Sequence, residues 1–352
     1  MATNWIYMPI LKWKQGERMA VKNLTAHQCQ DIVVMLELLA IDAAPDAVAL
    51  KAALPLYLSK IVKDIKSAFP EGACIAVDTR HIAPGYTRQL RLSSVVCKLL
   101  GAKTGRIIIP VVSESAVQAN PADLKSLNEF PEIILRIRTN AITDEQIPDL
   151  IQQVTDAGIS GDKIHLVIDQ YSIVGEEPVA RAALVEKHLA AALAQGCAST
   201  TLAGGSFPMN LIGYKQGAVE IGRVEWMVWE IIKGKSGLSG VRYADYTVTN
   251  PASLPADLDT SKVNPSVAIR YTCSNSWRLY KAGGFKNGAP DQYRGLCQLL
   301  ITDGVYSQST FSYGDQCYAE AAAHRMGNGN PSSWRRDATN HHIVFTKAQL
   351  TR

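Results

Sequence analysis

The chain has 352 residues, of which 47% are hydrophobic, and a formal net charge of +4 at pH 7. This length suits one large α/β domain with additions, or two medium domains. The net charge is small and its residues are spread along the chain, so charge alone gives no indication of nucleic-acid binding. No apolar run approaches 18 residues, and we therefore expect no membrane span.

The cysteine pattern and the N-terminus predict a cytoplasmic protein. The seven cysteines are odd in number and include no CxxC pair, which is typical of a reducing compartment. The first residues, MATNWIYMPILKWK, lack the basic start and long apolar core of a signal peptide.

Short apolar runs that end in a charged residue recur along the chain. In the clearest one, KIHLVID at 163–169, an apolar run is closed by Asp169. Such a run predicts a strand that is buried on both faces. The others are MPILK ending at Lys12, VVMLE ending at Glu37, CIAVD ending at Asp78, IILRIR carrying Arg136 and Arg138, and VRYAD ending at Asp245.

In chain order, these and similar runs predict eight strands separated by helical patterns. The predicted strands are 5–11, 32–38, 74–77, 106–112, 132–137, 164–168, 199–203 and 241–246. The main predicted helices are 45–69, 86–100, 143–158, 176–195 and 218–232. This alternation predicts parallel pairing, and eight units match a (β/α)8 TIM-type barrel over residues 1–250. A doubly wound open sheet is the alternative, although no Gly-rich phosphate turn follows the first strand.

The sequence changes in character after Tyr246. Residues 247–265 are rich in Pro, Asp, Thr and Ser and predict a loop, and 267–281 predict a β-hairpin. A helical pattern at about 290–302 is expected to be the last barrel helix. The remainder to 352 completes a C-terminal β-hairpin/α+β appendage, so that residues 251–352 form an extension packed on the barrel.

Residues at the carboxyl ends of barrel strands converge on one mouth, where active sites lie. The candidate catalytic residues are therefore Asp169, Asp78, Glu37 and Asp245. Of these, Glu37, Asp78 and Asp169 are the candidate ligands for a divalent cation such as Mg²⁺. We expect Lys12, Arg136 and Arg270 to form a cationic wall that faces these carboxylates and holds an anion. Alternatively, the charges pair with one another and close the top of the barrel.

Further candidate ligand-binding residues lie outside the strand ends. Ser206 follows two glycines that free the backbone for close approach to an anion, although the sequence GGSFP is more typical of a plain tight turn. Glu225 lies on a different helical face from Arg223 and Trp226. His341 is a candidate acid or base, and a strand would turn it and His342 to opposite sides. Trp334-Arg335-Arg336 is suited to nucleic-acid contact or to cation–π anchoring of the C-terminal block.

The ordered set of short motifs resembles the phage-related beta protein family over nearly the whole chain. The motifs are YMPILKWKQGE at the N-terminus, LEL at 36–38, LRIR at 135–138, LVID at 166–169, AGGSFP at 203–208, RVEW at 223–226, ADY at 244–246, IRYT at 269–272, YGD at 313–315 and SSWRRDATNHHI at 332–343. The resemblance implies an association with bacteriophages, prophages and clusters of bacterial defence genes. It implies no established reaction.

Two functional hypotheses follow. In the first, the protein is a component of an antiviral defence system and binds a phage product, nucleic acid or another defence-system protein through the barrel mouth and the extension. In the second, it is a barrel hydrolase, a metal-assisted phosphodiesterase or nuclease-like enzyme that acts on a phosphate-containing substrate.

Overall fold

The computed structural model describes residues 4–41, 46–252, 264–287 and 292–352. Eight parallel strands close into a barrel in the order β1-β2-β3-β4-β5-β6-β7-β9. They are β1 (Tyr7–Lys12), β2 (Val34–Glu37), β3 (Cys74–Asp78), β4 (Ile107–Ser113), β5 (Ile133–Arg138), β6 (Ile164–Ser172), β7 (Ser199–Gly205) and β9 (Arg242–Asp245). The predicted (β/α)8 TIM-type barrel is confirmed.

Helices connect successive barrel strands on the outside. They are α1 (Gln15–Lys22), α2 (Ala26–Cys29), α3 (Ala47–Ala68), α4 (Gln89–Thr104), α5 (Glu114–Ala119), α6 (Ile147–Asp156), α7 (Pro178–Leu193) and α8 (Val224–Lys233). The predicted start of α3, Pro45, lies outside the described residues, and Asp46 caps the helix by accepting from Val48 N and Ala49 N. The predicted end of α4 at residue 100 is too early, because the helix continues to Thr104 and is capped by Gly105, which has φ +69.

The barrel interior has an apolar lower part and a charged upper layer. Alternate strand residues face inward, and the apolar ones include Met8, Ile10, Met35, Ala76, Ile109, Ile134, Val167 and Ala244. Two residues further along their strands, the same inward direction is taken by Lys12, Glu37, Asp78, Arg136 and Asp169. Strand periodicity therefore brings five charged side chains to the top of the barrel.

Two strands of the extension and one strand from the connection between β7 and α8 form a three-stranded antiparallel sheet in the order β10-β11-β8. Its strands are β8 (Gly217–Gly222), β10 (Ser266–Thr272) and β11 (Ser276–Gly284). Two helices, α9 (Gln292–Thr302) and α10 (Tyr313–Ala322), share an apolar core with β10 and β11. Trp277 of β11 is fully buried and its ring lies 5.3 Å from that of Phe207 after β7.

Strand β8 replaces the first part of a predicted helix. The range 218–232 was expected to be one helix, but Gly217–Gly222 pairs with β11 and the helix begins at Val224. The exposure of β8 alternates along GAVEIG, which is the period of a half-buried strand. Pairing with the hairpin therefore overrides the local helical pattern.

The last barrel helix also comes from a different part of the chain than expected. The helix at about 290–302 is α9, and it packs against α10, β10 and β11. The helix that packs against β1 and α1 is α11 (Pro331–Leu350), whose Ile343 belongs to the apolar core around the barrel. Helical periodicity fixes the existence of both helices, but it does not specify which sheet each one covers. The chain thus passes through the extension before its last helix packs on the barrel.

Within the described ranges, no helix combines the length and the apolar character that crossing a bilayer requires.

Candidate functional site

Arg136 of β5 lies at the centre of the barrel mouth, which we define as the carboxyl ends of the barrel strands. Its side chain is 0% exposed. Nη1 donates to Glu37 Oε1 and Asp78 Oδ2, each at 2.9 Å, and Nε donates to Asp169 Oδ2 at 3.0 Å. Nη2 donates to the hydroxyl of Tyr246, which in turn donates to Asp169 Oδ2 at 2.7 Å. We call these five residues the arginine network.

A second arginine and two backbone amides donate further hydrogen bonds to Asp78 and Asp169. Arg80 Nε donates to Asp78 Oδ2 at 2.7 Å, and its backbone N–H donates to Oδ1 at 3.0 Å. The backbone N–H of Tyr171 donates to Asp169 Oδ1 at 2.8 Å. Each aspartate therefore also forms a turn with the residue two positions beyond it, which is a common structural use of Asp.

The cations hold the buried aspartates in the charged form. Burial raises the pKa of Asp169, but Arg136 and the hydrogen bond from Tyr246 outweigh it and keep that pKa below its usual value. Burial likewise raises the pKa of Asp78, and Arg80 and Arg136 outweigh it. Both groups are thus carboxylates at neutral pH, when they accept hydrogen bonds and cannot donate a proton.

Three of the four candidate catalytic residues meet at the mouth, and the fourth does not. Glu37, Asp78 and Asp169 converge on Arg136. Asp245 ends β9 as predicted, but it faces outward, where Oδ1 accepts from the Tyr7 hydroxyl and Oδ2 lies 2.8 Å from His342 Nε2. The inward direction is taken by the next residue, Tyr246, because side chains alternate along a strand.

The expected wall of three cations is not formed. Arg136 lies among the carboxylates, whereas Lys12 Nζ donates to the carbonyls of Asn250 (3.2 Å) and Ala252 (2.8 Å). Arg270 Nη1 donates to the carbonyl of Val248 at 2.8 Å. The backbone that follows β9 therefore accepts from these two cations, which do not hydrogen-bond the mouth carboxylates.

Arg335 of α11 binds the same backbone segment. Its Nη1 donates to the Val248 carbonyl at 3.3 Å, so it shares one acceptor with Arg270. We call Lys12, Arg270 and Arg335 the loop cations. No salt bridge joins any of them to a carboxylate within the described part of the chain.

Ser206 and Glu225 lie in a buried junction between β7, α8 and the extension. The Ser206 hydroxyl donates to the Glu225 carboxylate and accepts from Val224 N at 2.9 Å. Burial raises the pKa of Glu225 to about 7, even though Arg223 opposes this effect. Arg223 Nη1 also donates to the carbonyls of Cys273 and Ser274 in the hairpin turn. These residues therefore connect the barrel to the extension and do not face the mouth.

His341 lies on the helix α11, so the alternation that a strand would impose on it and His342 does not apply. Its Nδ1 lies 2.8 Å from Asp315 Oδ2, and its Nε2 lies 3.0 Å from the carbonyl oxygen of Thr272. The adjacent His342 contacts Asp245 instead. Both histidines are 0% exposed, so His341 is a buried connector between α10, α11 and β10.

The mouth carboxylates surround a guanidinium where a metal site would hold its ion. Among the described residues, no group of three or more His, Cys, Asp or Glu is arranged to hold a metal. A Mg²⁺ ion bound by Glu37, Asp78 and Asp169 would have to displace Arg136, which supplies hydrogen bonds to all three.

Sequence reasoning missed several residues around the mouth. Arg80 stands two positions after Asp78, and Tyr246 directly follows Asp245, so strand-end position was a signal for both. Glu114 directly follows β4; burial raises its pKa, and its Oε2 has no hydrogen-bond partner within the described residues. Glu37 Oε2 likewise has no hydrogen-bond partner within the described residues. Arg335 was singled out for its composition, but its position was not predicted.

Comparison with known proteins identifies the family. No curated protein matches the chain. Among solved structures, a dihydropteroate synthase from Coxiella burnetii, in complex with pteroic acid, is 14% identical over 70% of this chain and 89% of its own, with a TM-score of 0.38. The sequence profile of the family described as Beta protein matches residues 7–347. The chain therefore belongs to the Beta protein family.

Proposed function

We propose that this protein is a non-catalytic binding component of a phage–host conflict system. It recognises its ligand or partner through the barrel mouth and the extension that adjoins it. The phage–host setting is the one that the family resemblance implies, and the binding role rests on the geometry of the mouth.

The observation that carries the proposal is the pairing of Arg136 with the candidate catalytic carboxylates. Asp78 and Asp169 accept hydrogen bonds on both oxygens, and Arg136 lies between them where a water molecule or a metal ion would have to bind. The pKa values of these two aspartates are held below the usual value, whereas a general acid–base catalyst that works near neutral pH needs a raised carboxyl pKa. The mouth is therefore better suited to presenting a fixed surface than to performing a reaction.

The loop cations supply the chemistry of recognition. They lie where the segment after β9 meets β10 and α11, and their hydrogen bonds within the described residues go to backbone carbonyls. Cations that are not paired with a carboxylate favour an anionic ligand. A phage product, nucleic acid or a partner protein with an acidic surface meets this requirement.

One observation favours the alternative, a hydrolase. Glu37 and Glu114 each keep one buried carboxylate oxygen without a hydrogen-bond partner among the described residues, and the pKa of Glu114 is raised by burial. A raised pKa is the property that a carboxylic general acid requires. This alternative predicts that Glu37→Gln or Glu114→Gln abolishes function in a protein that still folds.

A phage-challenge assay in cells that carry the complete system distinguishes the two functions. We expect the double variant Lys12→Gln/Arg335→Gln to lose protection while it melts like the parent. Arg325→Gln, which removes a 64% exposed cation of the extension, is the matched control and should protect fully. Full protection by the double variant would contradict the binding proposal. Loss of protection confined to the two glutamate variants would favour the hydrolase.

A further inference from the structure

We propose that the cavity between the start of β10 and the N-terminus of α11 is a binding site for a phosphate group, with Arg270 and Arg335 as its ligands. This inference rests on the proposed binding function and deepens it, because it names the chemistry of the ligand and the residues that hold it.

The cavity has the size of one anionic group. Its volume is about 130 Å³, and it is lined by Pro265, Ser266, Ala268, Arg270, Pro331, Trp334 and Arg335. Sites for drug-sized ligands usually occupy about 300–1,000 Å³. A phosphate group therefore fits inside, and the remainder of a larger ligand would extend into solvent.

The two guanidinium groups have hydrogen-bonding capacity to spare. Each guanidinium carries five N–H donors in a planar fork that matches the oxygens of a phosphate. Both arginines donate to the Val248 carbonyl, and neither donates another hydrogen bond to a described residue. The contrast with the neighbouring Arg336 is direct, since it pairs with the Asp337 carboxylate at 2.7 Å.

The cavity carries an excess of positive charge, which favours the binding of an anion. Burial and the proximity of Arg335 lower the pKa of Arg270, and burial also lowers the pKa of Arg335. Glu17 of α1 is the acidic group that opposes this effect for both arginines, and it makes no salt bridge with either. Arginine stays protonated at neutral pH, so two like charges remain side by side until an anion neutralises them.

The surroundings hold both arginines in place before a ligand arrives. The guanidinium of Arg270 lies over the ring of Phe207, 4.6 Å from its centroid. Arg335 is fixed to the 20-residue helix α11, whose first residue, Pro331, lines the cavity. The positive end of the helix dipole adds to the attraction for an anion. A preorganised site of this kind loses little conformational entropy on binding.

Isothermal titration of the full chain with inorganic phosphate tests the site. We expect the parent to bind phosphate, and we expect Arg270→Gln and Arg335→Gln each to raise Kd by about tenfold or more, as for the loss of a charged hydrogen bond. Arg325→Gln is the control and should bind like the parent. If Arg270→Gln melts at a lower temperature than the parent because it loses its contact with Phe207, the variant Arg335→Lys is tested in its place. Arg335→Lys keeps the positive charge and loses the planar set of guanidinium donors, so it should bind phosphate more weakly than the parent.

Oligonucleotides identify the source of the phosphate group. Tighter binding of a 5′-phosphorylated single strand than of its 5′-hydroxyl form, lost in Arg335→Gln, places the group on a nucleic-acid end. If both strands bind equally weakly while inorganic phosphate or a nucleoside monophosphate binds measurably, the ligand is a small molecule. No phosphate binding by the parent, or unchanged binding in both arginine variants, would overturn the site. Loss of phage protection in the Lys12→Gln/Arg335→Gln variant would then still support the wider binding function.

Discussion

Arg136 and Arg335 are both buried or half-buried near the barrel mouth, and they differ in what their guanidinium groups contact. Arg136 is enclosed by three carboxylates and a hydroxyl, whereas Arg335 shares a single carbonyl with Arg270. In the first arrangement Nε and both Nη atoms of the guanidinium donate to acidic or hydroxyl partners, as a structural element requires. In the second, the two arginines donate only to one carbonyl and form no salt bridge with a carboxylate within the described residues. The difference teaches that the charges that the sequence displays most clearly serve the fold, and that recognition is better sought among cations without acidic partners.

Removing Arg136 is the strongest way to break this comparison. Arg136→Ala leaves Glu37, Asp78 and Asp169 buried without their central cation, which should lower the free energy of unfolding by about 3–5 kcal/mol. Urea denaturation measures the change, with Arg325→Ala as the exposed control. A variant as stable as the parent would show that the arginine network does not stabilise the fold.

Acid should weaken the arginine network in a defined direction. The folded-state pKa values of Asp78 and Asp169 are lowered, so their contribution is present above the unfolded value of about 3.9 and is lost as pH falls below it. Each group changes stability by about 1.4 kcal/mol per pH unit within that interval. Asp169→Asn should therefore be less stable than the parent at pH 7 and show a shallower loss below pH 4, measured by denaturation at a series of pH values. Parallel curves would contradict the assignment.

Glu225 is a buried carboxylate whose ion pair is weaker than those of the aspartates, since its nearest cation atom, Arg223 Nε, lies 3.6 Å away. Its pKa is raised to about 7 in the folded state, from about 4.3 in the unfolded chain. The sign is opposite to that of the aspartates, because stability should fall as pH rises from that lower value through 7, by about 1.4 kcal/mol per pH unit. Glu225→Gln should flatten this slope between pH 5 and pH 8 in thermal melts. An unchanged slope would assign the dependence to another group.

Removing Arg335 should have the smallest effect on the free protein. Arg335→Gln relieves repulsion with Arg270 and breaks no salt bridge among the described residues, so its stability should lie within about 0.5 kcal/mol of the parent. Phosphate should raise the melting temperature of the parent and not that of the variant, because only a ligand that binds the folded state stabilises it. Equal shifts in both proteins would mean that phosphate acts elsewhere.

The sequence predicted the architecture of the barrel and part of its site. Runs such as IILRIR and KIHLVID have the apolar character of doubly buried strands, and their final charges lie at one end because the strands are parallel. Glu37, Asp78 and Asp169 were therefore expected to meet, and they do. The strand-end rule failed for Asp245, since it identifies the end of a strand and not the side to which the last residue points.

Local periodicity, turn residues and composition determined the eight barrel strands and most of the helices between them, because those preferences act between residues close in the chain. The tertiary structure alone decided that α11 packs on the barrel, that β8 is a strand, and that Arg136 occupies the centre of the carboxylates. It also decided that Arg335 lies beside Arg270, 65 positions earlier in the chain. Such contacts depend on how distant segments pack and on which charges are desolvated together, and neither property is encoded in the neighbouring residues of either partner.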